Sequence, residues 1–209
     1  MVLALVNGAD AQDRAEADEG SFAPPPPPLE LRPFWTIEFT ATASAPLQRD
    51  TLCPDDADCI YSGGGGVGAA LAWRFPRGLS VGFGYDVSFL DGNGVYEITT
   101  QHFFSGDVRY YGLRSSLVHP YVGASLGLVI LGDAFQDNVF GAGLDVGAGL
   151  EIELTSTLAF TLGISGFFFS TGSFRSDSDG VRRSDSFGVN GSLLLRVGLV
   201  LSERPSAGS

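Results

Sequence analysis

Residues 140 to 154 read FGAGLDVGAGLEIEL. Phe140, Ala142, Leu144, Val146, Ala148, Leu150, Ile152 and Leu154 fall on one side of a period-two pattern, and Gly141, Gly143, Asp145, Gly147, Gly149, Glu151 and Glu153 fall on the other. Successive side chains leave opposite faces of a pleated strand, so fifteen residues of unbroken alternation call for a β-strand between two chemically different environments. Seven more stretches carry the same pattern: FWTIEFTATA from Phe34, VGAALAWRF from Val67, LSVGFGYDVSF from Leu79, QHFFSGDVRYYGL from Gln101, HPYVGASLGLVI from His119, LAFTLGISGFFF from Leu158 and FGVNGSLLLRVGLVL from Phe187. Eight strands are predicted.

Their connections alternate in length. PLQRDTLCPDDADCIYS, DGNGVYEIT, GDAFQDNV and TGSFRSDSDGVRRSDS read as long loops, and Pro76-Arg77-Gly78, RSSLV and Thr155-Ser156-Thr157 as short turns. Such a chain meanders up and down with all long loops at one end, and an even strand number lets the sheet close and removes its edges. The expected fold is all-β, an eight-stranded antiparallel up-and-down barrel.

Composition decides which face is outside. No lysine occurs, charged residues make up only 17%, glycine reaches 29 residues in the chain, and the less apolar face is mostly Gly, Ser, Ala and Thr. That face makes a poor solvent surface but suits the narrow interior of an eight-stranded barrel. The apolar face then points outward, where only lipid tolerates it and every backbone group must be paired within the closed sheet. Aromatics of that face gather near strand ends: Trp35, Trp73, Phe75 and Tyr110 by the short turns, Phe89, Phe104, Phe140, Phe168 and Phe187 by the long loops. These read as two interfacial girdles. No run of eighteen apolar residues supplies a spanning helix.

From Phe34 to Leu201 the chain resembles the small eight-stranded outer-membrane β-barrel proteins of the OmpA and OmpX type, in strand number, loop alternation and girdles. Arg196, Gly198, Leu199 and Leu201 of RVGLVL resemble that family's C-terminal assembly signal, although the family usually ends there on an aromatic residue and this chain continues SERPSAGS. The resemblance implies a transmembrane barrel in the bacterial outer membrane with both termini periplasmic and the long loops extracellular. Outer-membrane lipid or lipopolysaccharide and the outer-membrane assembly machinery are the implied partners, and the protein is expected to be a monomer without cofactor or metal.

Residues 1–11 contain the apolar run MVLALV and a small-x-small Ala9-Asp10-Ala11, read as the remnant of a secretory signal. Residues 12–33, acidic and then proline-rich, read as a periplasmic linker, in which Pro24 to Pro28 make a stiff spacer of roughly 15 Å. The barrel takes residues 34–201, and residues 202–209 form a short tail. A net charge of −12 disfavours nucleic acid as a partner.

The remaining chemistry is sparse. Inward charges at Glu38, Arg74, Asp86, Asp107, Arg109, Asp145, Glu151, Glu153 and Arg196 read as an interior ion-pair network, with a gated polar path as the alternative. Cys53 and Cys59, bracketing CPDDADC, read as a local disulfide. Acidic clusters at Asp55, Asp56 and Asp58 and at Asp177 and Asp179 do not complete a calcium loop. Of the two histidines, alternation separates His102 from Ser105 and Asp107, so no triad assembles and catalysis is not expected. The predicted function is a structural scaffold that displays surface loops for adhesion or envelope interaction. The alternative is a narrow ion or small-solute channel, and the least favoured reading is a lipid A modifying enzyme.

Overall fold

The computed structural model describes residues 33–49, 52–55, 57–112, 117–183 and 188–203. The expected signal remnant, the linker up to residue 32, Asp56, Phe187 and residues 204–209 lie outside the described residues. Eight strands close into one antiparallel barrel: β1 (Phe34–Gln48), β2 (Gly64–Arg74), β3 (Leu79–Leu90), β4 (Thr99–Tyr111), β5 (Val118–Asp133), β6 (Gln136–Glu153), β7 (Leu158–Thr171) and β10 (Val189–Glu203). Two further short strands, β8 (Phe174–Arg175) and β9 (Arg182–Arg183), pair into a ribbon inside the loop between β7 and β10.

Each strand pairs with its chain neighbour, and β10 closes the sheet on β1 from Trp35 opposite Glu203 to Gln48 opposite Gly191. The register slips between Pro46 and Gln48, where a proline, lacking an amide hydrogen, is tolerated only at such a bulge or an edge. β10 also runs two residues past Leu201, so Ser202 and Glu203 belong to the barrel and not to a tail.

One connection differs from its reading. GDAFQDNV is not a long loop: β5 continues to Asp133 and β6 begins at Gln136, which leaves a two-residue turn at Ala134 and Phe135. Both residues have positive φ, 46° and 69°, as the primed hairpin turns require. That turn class ordinarily takes Asn and Gly, so the sequence carries no turn signal here. Phe135 compensates by packing on Phe89, with ring centroids 5.9 Å apart, and on His102, at 5.5 Å.

The apolar face of every barrel strand is outside. Leu144 and Val146 of the most regular strand are exposed, as are Phe39, Val67, Phe83, Val108, Leu126, Ile164 and Leu195 around the barrel. The inner face differs between its two halves. Toward the short turns it is polar, and toward the loops it is a hydrophobic core of Phe103, Val129, Leu131, Phe167, Phe169 and Leu194, capped by Leu52, Ile60 and Tyr61. The period-two reading finds an inner face of mostly small residues, and the structure adds that its loop-side half is this apolar cluster.

The lumen and its cap as candidate functional site

Three guanidiniums organise the polar half. Arg74, at the end of β2, donates to both carboxylate oxygens of Glu151 on β6 at 2.7 and 2.6 Å and lies 3.8 Å from the centre of the Tyr111 ring. Arg109 on β4 pairs with Glu38 on β1, whose other oxygen accepts from Thr161 at 2.9 Å. Arg196 on β10 donates to Asp145 and to Ser165, each at 2.7 Å. Buried charges need such partners, because a lone ion in the interior carries its full desolvation penalty.

Three of the sequence-identified carboxylates have no guanidinium partner among the described residues. Asp107 accepts a hydrogen bond from Ser105 at 3.1 Å, and Asp86 makes no ion pair among the described residues. Glu153 lies 3.2 Å from His119, at the short-turn end. The lumen thus holds more carboxylates than guanidiniums. It contains water-sized cavities, one of about 50 Å³ between Arg109, Tyr121, Asp145 and Arg196.

The connection between β1 and β2, loop one, closes the other end. A Cys53–Cys59 disulfide staples it, Leu52, Ile60 and Tyr61 sink into the barrel mouth, and Thr99 donates to the Ile60 carbonyl at 3.0 Å. The Tyr61 hydroxyl shares a hydrogen bond with Ser192, while its ring meets Phe169 edge-on at 5.2 Å. Burial pushes the Tyr61 phenol up to about 12, against the Ser192 hydrogen bond, which lowers it. The β8–β9 ribbon packs against the same loop: Arg183, fully buried, donates to the Asp58 carbonyl at 2.9 Å and pairs with Asp179. The hydrogen bonds from Arg183 hold the Asp179 carboxyl down at about 2.

Sequence reasoning does not find Leu52, Ile60, Tyr61 or Phe169. The available signal was that loop one, otherwise polar, carries large apolar residues directly beside both cysteines.

Among the aromatics read as girdles, Trp35 and Trp73 meet edge-on at 4.5 Å by the short turns, with Phe75 and Tyr110 exposed at the same end. Phe89, Phe104, Phe140 and Phe168 are exposed on the outer wall toward the loops. Aromatics also fill the zone between, at Phe39 and Phe83, the latter 78% exposed. In the C-terminal segment Leu199 and Leu201 face outward and Arg196 inward. Gly198 sits where a side chain would meet Thr161 Oγ1 at 2.6 Å and the Phe39 carbonyl at 2.8 Å.

His102 also points outward, its Nδ1 hydrogen-bonded to the Tyr85 hydroxyl at 2.9 Å, whereas Ser105 and Asp107 face the lumen. The sheet itself separates these three groups. No cluster of three or more His, Cys, Asp or Glu side chains arranged to hold a metal occurs among the described residues.

A closed barrel of eight antiparallel strands, apolar outside and ion-paired within, is the architecture of the small outer-membrane barrels, and the chain has that fold. It is similar to Neisserial surface protein A, at 15% identity and a TM-score of 0.57 over 80% of this chain and 96% of that one. Two structures from Pseudomonas aeruginosa also match: the N-terminal β-barrel domain of OprF (12% identity, 80% of this chain and 97% of that one, TM-score 0.49) and the outer membrane protein OprG (13%, 83% and 96%, 0.48). No protein-family model and no curated protein sequence matches the chain.

Proposed function

We propose that the protein is a non-catalytic scaffold of the bacterial outer membrane that holds a composite surface formed by loop one and the β8–β9 loop. One observation carries this reading: side chains occupy the lumen along its length and leave water-sized cavities between them. Ion pairs occupy the short-turn half, and the aromatic core with its inserted loop occupies the other. A barrel of this strand number leaves an interior just wide enough for side chains, so filling it stabilises the wall at the expense of transport. The cap supports the display role, because Arg183 ties the β8–β9 loop to loop one and Tyr61 anchors loop one on β10, and a preordered surface loses less entropy on binding a partner.

In this reading the exposed apolar wall contacts outer-membrane lipid and lipopolysaccharide, the aromatics at the two ends act as interfacial girdles, and the RVGLVL segment is the signal for the assembly machinery. The strand ends Phe34 and Glu203 share the short-turn end, which supports periplasmic termini and a cap on the outer side of the membrane.

The test is conductance in planar bilayers beside a binding assay on whole cells. The intact protein is expected to show negligible small-ion conductance, and removal of the cap loops to abolish surface binding while the barrel still forms. Steady, ion-selective conductance that changes on neutralising Glu151 or Arg196 would make the narrow channel the better reading.

A further inference from the structure

The strand register places a row of small polar groups across the inner wall at one level: Arg196 opposite Thr42, Thr42 opposite Gly66, Gly66 opposite Ser88, and Ser88 opposite Gln101. Gly66 contributes no side chain, and a Cβ there would meet the Val87 carbonyl oxygen at 2.4 Å and Ser88 Oγ at 2.9 Å. Beside this row lies a cavity of about 20 Å³, the size of one water molecule or one small ion, lined by Thr42, Asp86, Ser88 and Gln101 together with Arg196. Phe103, Phe167 and Leu194 close it on the apolar side.

Two observations point to an occupant. Gln101 is 94% buried, and its amide nitrogen, like the Thr42 hydroxyl, finds no hydrogen-bond partner among the described residues. Buried polar groups of this kind are satisfied by something, and water or an ion is the usual answer. Secondly, Asp86 remains as carboxylate charge in excess once Arg74, Arg109 and Arg196 have taken Glu151, Glu38 and Asp145. An unmatched carboxylate beside an aromatic core is costly without a counter-charge.

We propose that this cavity binds one small monovalent cation, sodium or potassium, through oxygens of Asp86, Thr42, Ser88 and, with its amide turned over, Gln101. A single carboxylate with neutral oxygens suits a singly charged hard cation; calcium takes six to eight oxygens, usually with several carboxylates. Asp145 holds the Arg196 guanidinium, which limits its repulsion of the ion. Asp107 adds a carboxylate on the adjacent wall, where it, Asp86 and Glu38 line a common cavity with Arg109 and Arg196. The site lies within the wall and lumen, so it does not depend on what the cap binds.

The experiment is refolding into detergent micelles in sodium, potassium or N-methylglucamine chloride at one ionic strength, with the urea midpoint read by heat-modifiable gel mobility. A ligand held only by the folded state raises the midpoint in proportion to the logarithm of its concentration. The midpoint is expected to rise with sodium or potassium and not with N-methylglucamine. Asp86→Asn should remove the response, and Gln101→Leu, which keeps the carboxylate, should weaken the apparent cation affinity at least fivefold. Equal midpoints in all three salts would mean that water alone fills the cavity and would overturn the proposal, as would an unchanged response in Asp86→Asn. If Asp86→Asn does not refold, Gln101→Leu decides alone: a wild-type cation response in that variant overturns the proposal.

Discussion

Val146 stands on the outer wall with its side chain exposed, one residue from the buried Asp145. Val146→Arg should destabilise the barrel by roughly 2 to 4 kcal/mol if that wall lies at the bilayer midplane, and Val146→Leu should be mild. Refolding equilibria in lipid vesicles measure both. Leu144→Cys should react with a membrane-restricted probe, and labelling by an aqueous reagent instead would reverse the face assignment. Inside, Glu151 is almost wholly buried with both oxygens on Arg74. Glu151→Ala strands the guanidinium and should cost about 3 to 5 kcal/mol, whereas replacing both partners with apolar residues of similar volume should cost much less. A double-mutant cycle in urea separates the two outcomes. Alternation assigned these residues to their faces, yet it could not say that Arg74 meets Glu151 and not Glu153, because the pairing runs between β2 and β6 across the lumen.

At the scale of elements, loop one is the informative case. Opening the Cys53–Cys59 bridge frees only a short loop, which the chain-entropy account values at about 2 kcal/mol. Reduction should therefore loosen the cap while the barrel survives. Intact mass should show the two-proton difference, and proteolysis should cut loop one only after reduction; two free thiols in exported protein would refute the bridge. The β8–β9 loop should respond to acid. Asp179 titrates near 2, below the usual carboxylate range, so its pairing with Arg183 stabilises the cap fully above about pH 4 and is lost as pH falls toward 2. Protease sensitivity of the loop should rise across that window, and Asp179→Asn should flatten the response. The β5–β6 turn shows where sequence reading stops. Ala134 at φ 46° is strained, so Ala134→Asn, which tolerates the left-handed region, should stabilise by up to about 1 kcal/mol in urea. Nothing local in Asp-Ala-Phe-Gln announces that turn; the pairing of the flanking strands imposes it.

For the whole molecule, closure of the hydrogen-bond ladder predicts resistance to SDS until heating, seen as a mobility difference between boiled and unboiled samples. Identical mobilities for refolded protein would count heavily against a closed barrel. Closure also explains why the lumen is rigid enough to hold ion pairs at defined positions: each wall strand is hydrogen-bonded on both sides, from Trp35 opposite Glu203 around to Trp35 opposite Trp73.

The strand number, the meander and the outward apolar face were legible in the chain itself, because a period of two is a property of the backbone and each strand states it independently. Glycine at 66, 68, 82 and 84 likewise announces a crowded inner wall before any partner is known. What the tertiary structure alone decided are the contacts that closure creates between residues distant in sequence. Arg74 finds Glu151, Tyr61 finds Ser192, Arg183 finds Asp58, and a loop that reads as polar buries Leu52 and Ile60 in the barrel mouth. The physical reason is that alternation specifies which face a side chain takes, while register and curvature of the closed sheet specify what stands across from it.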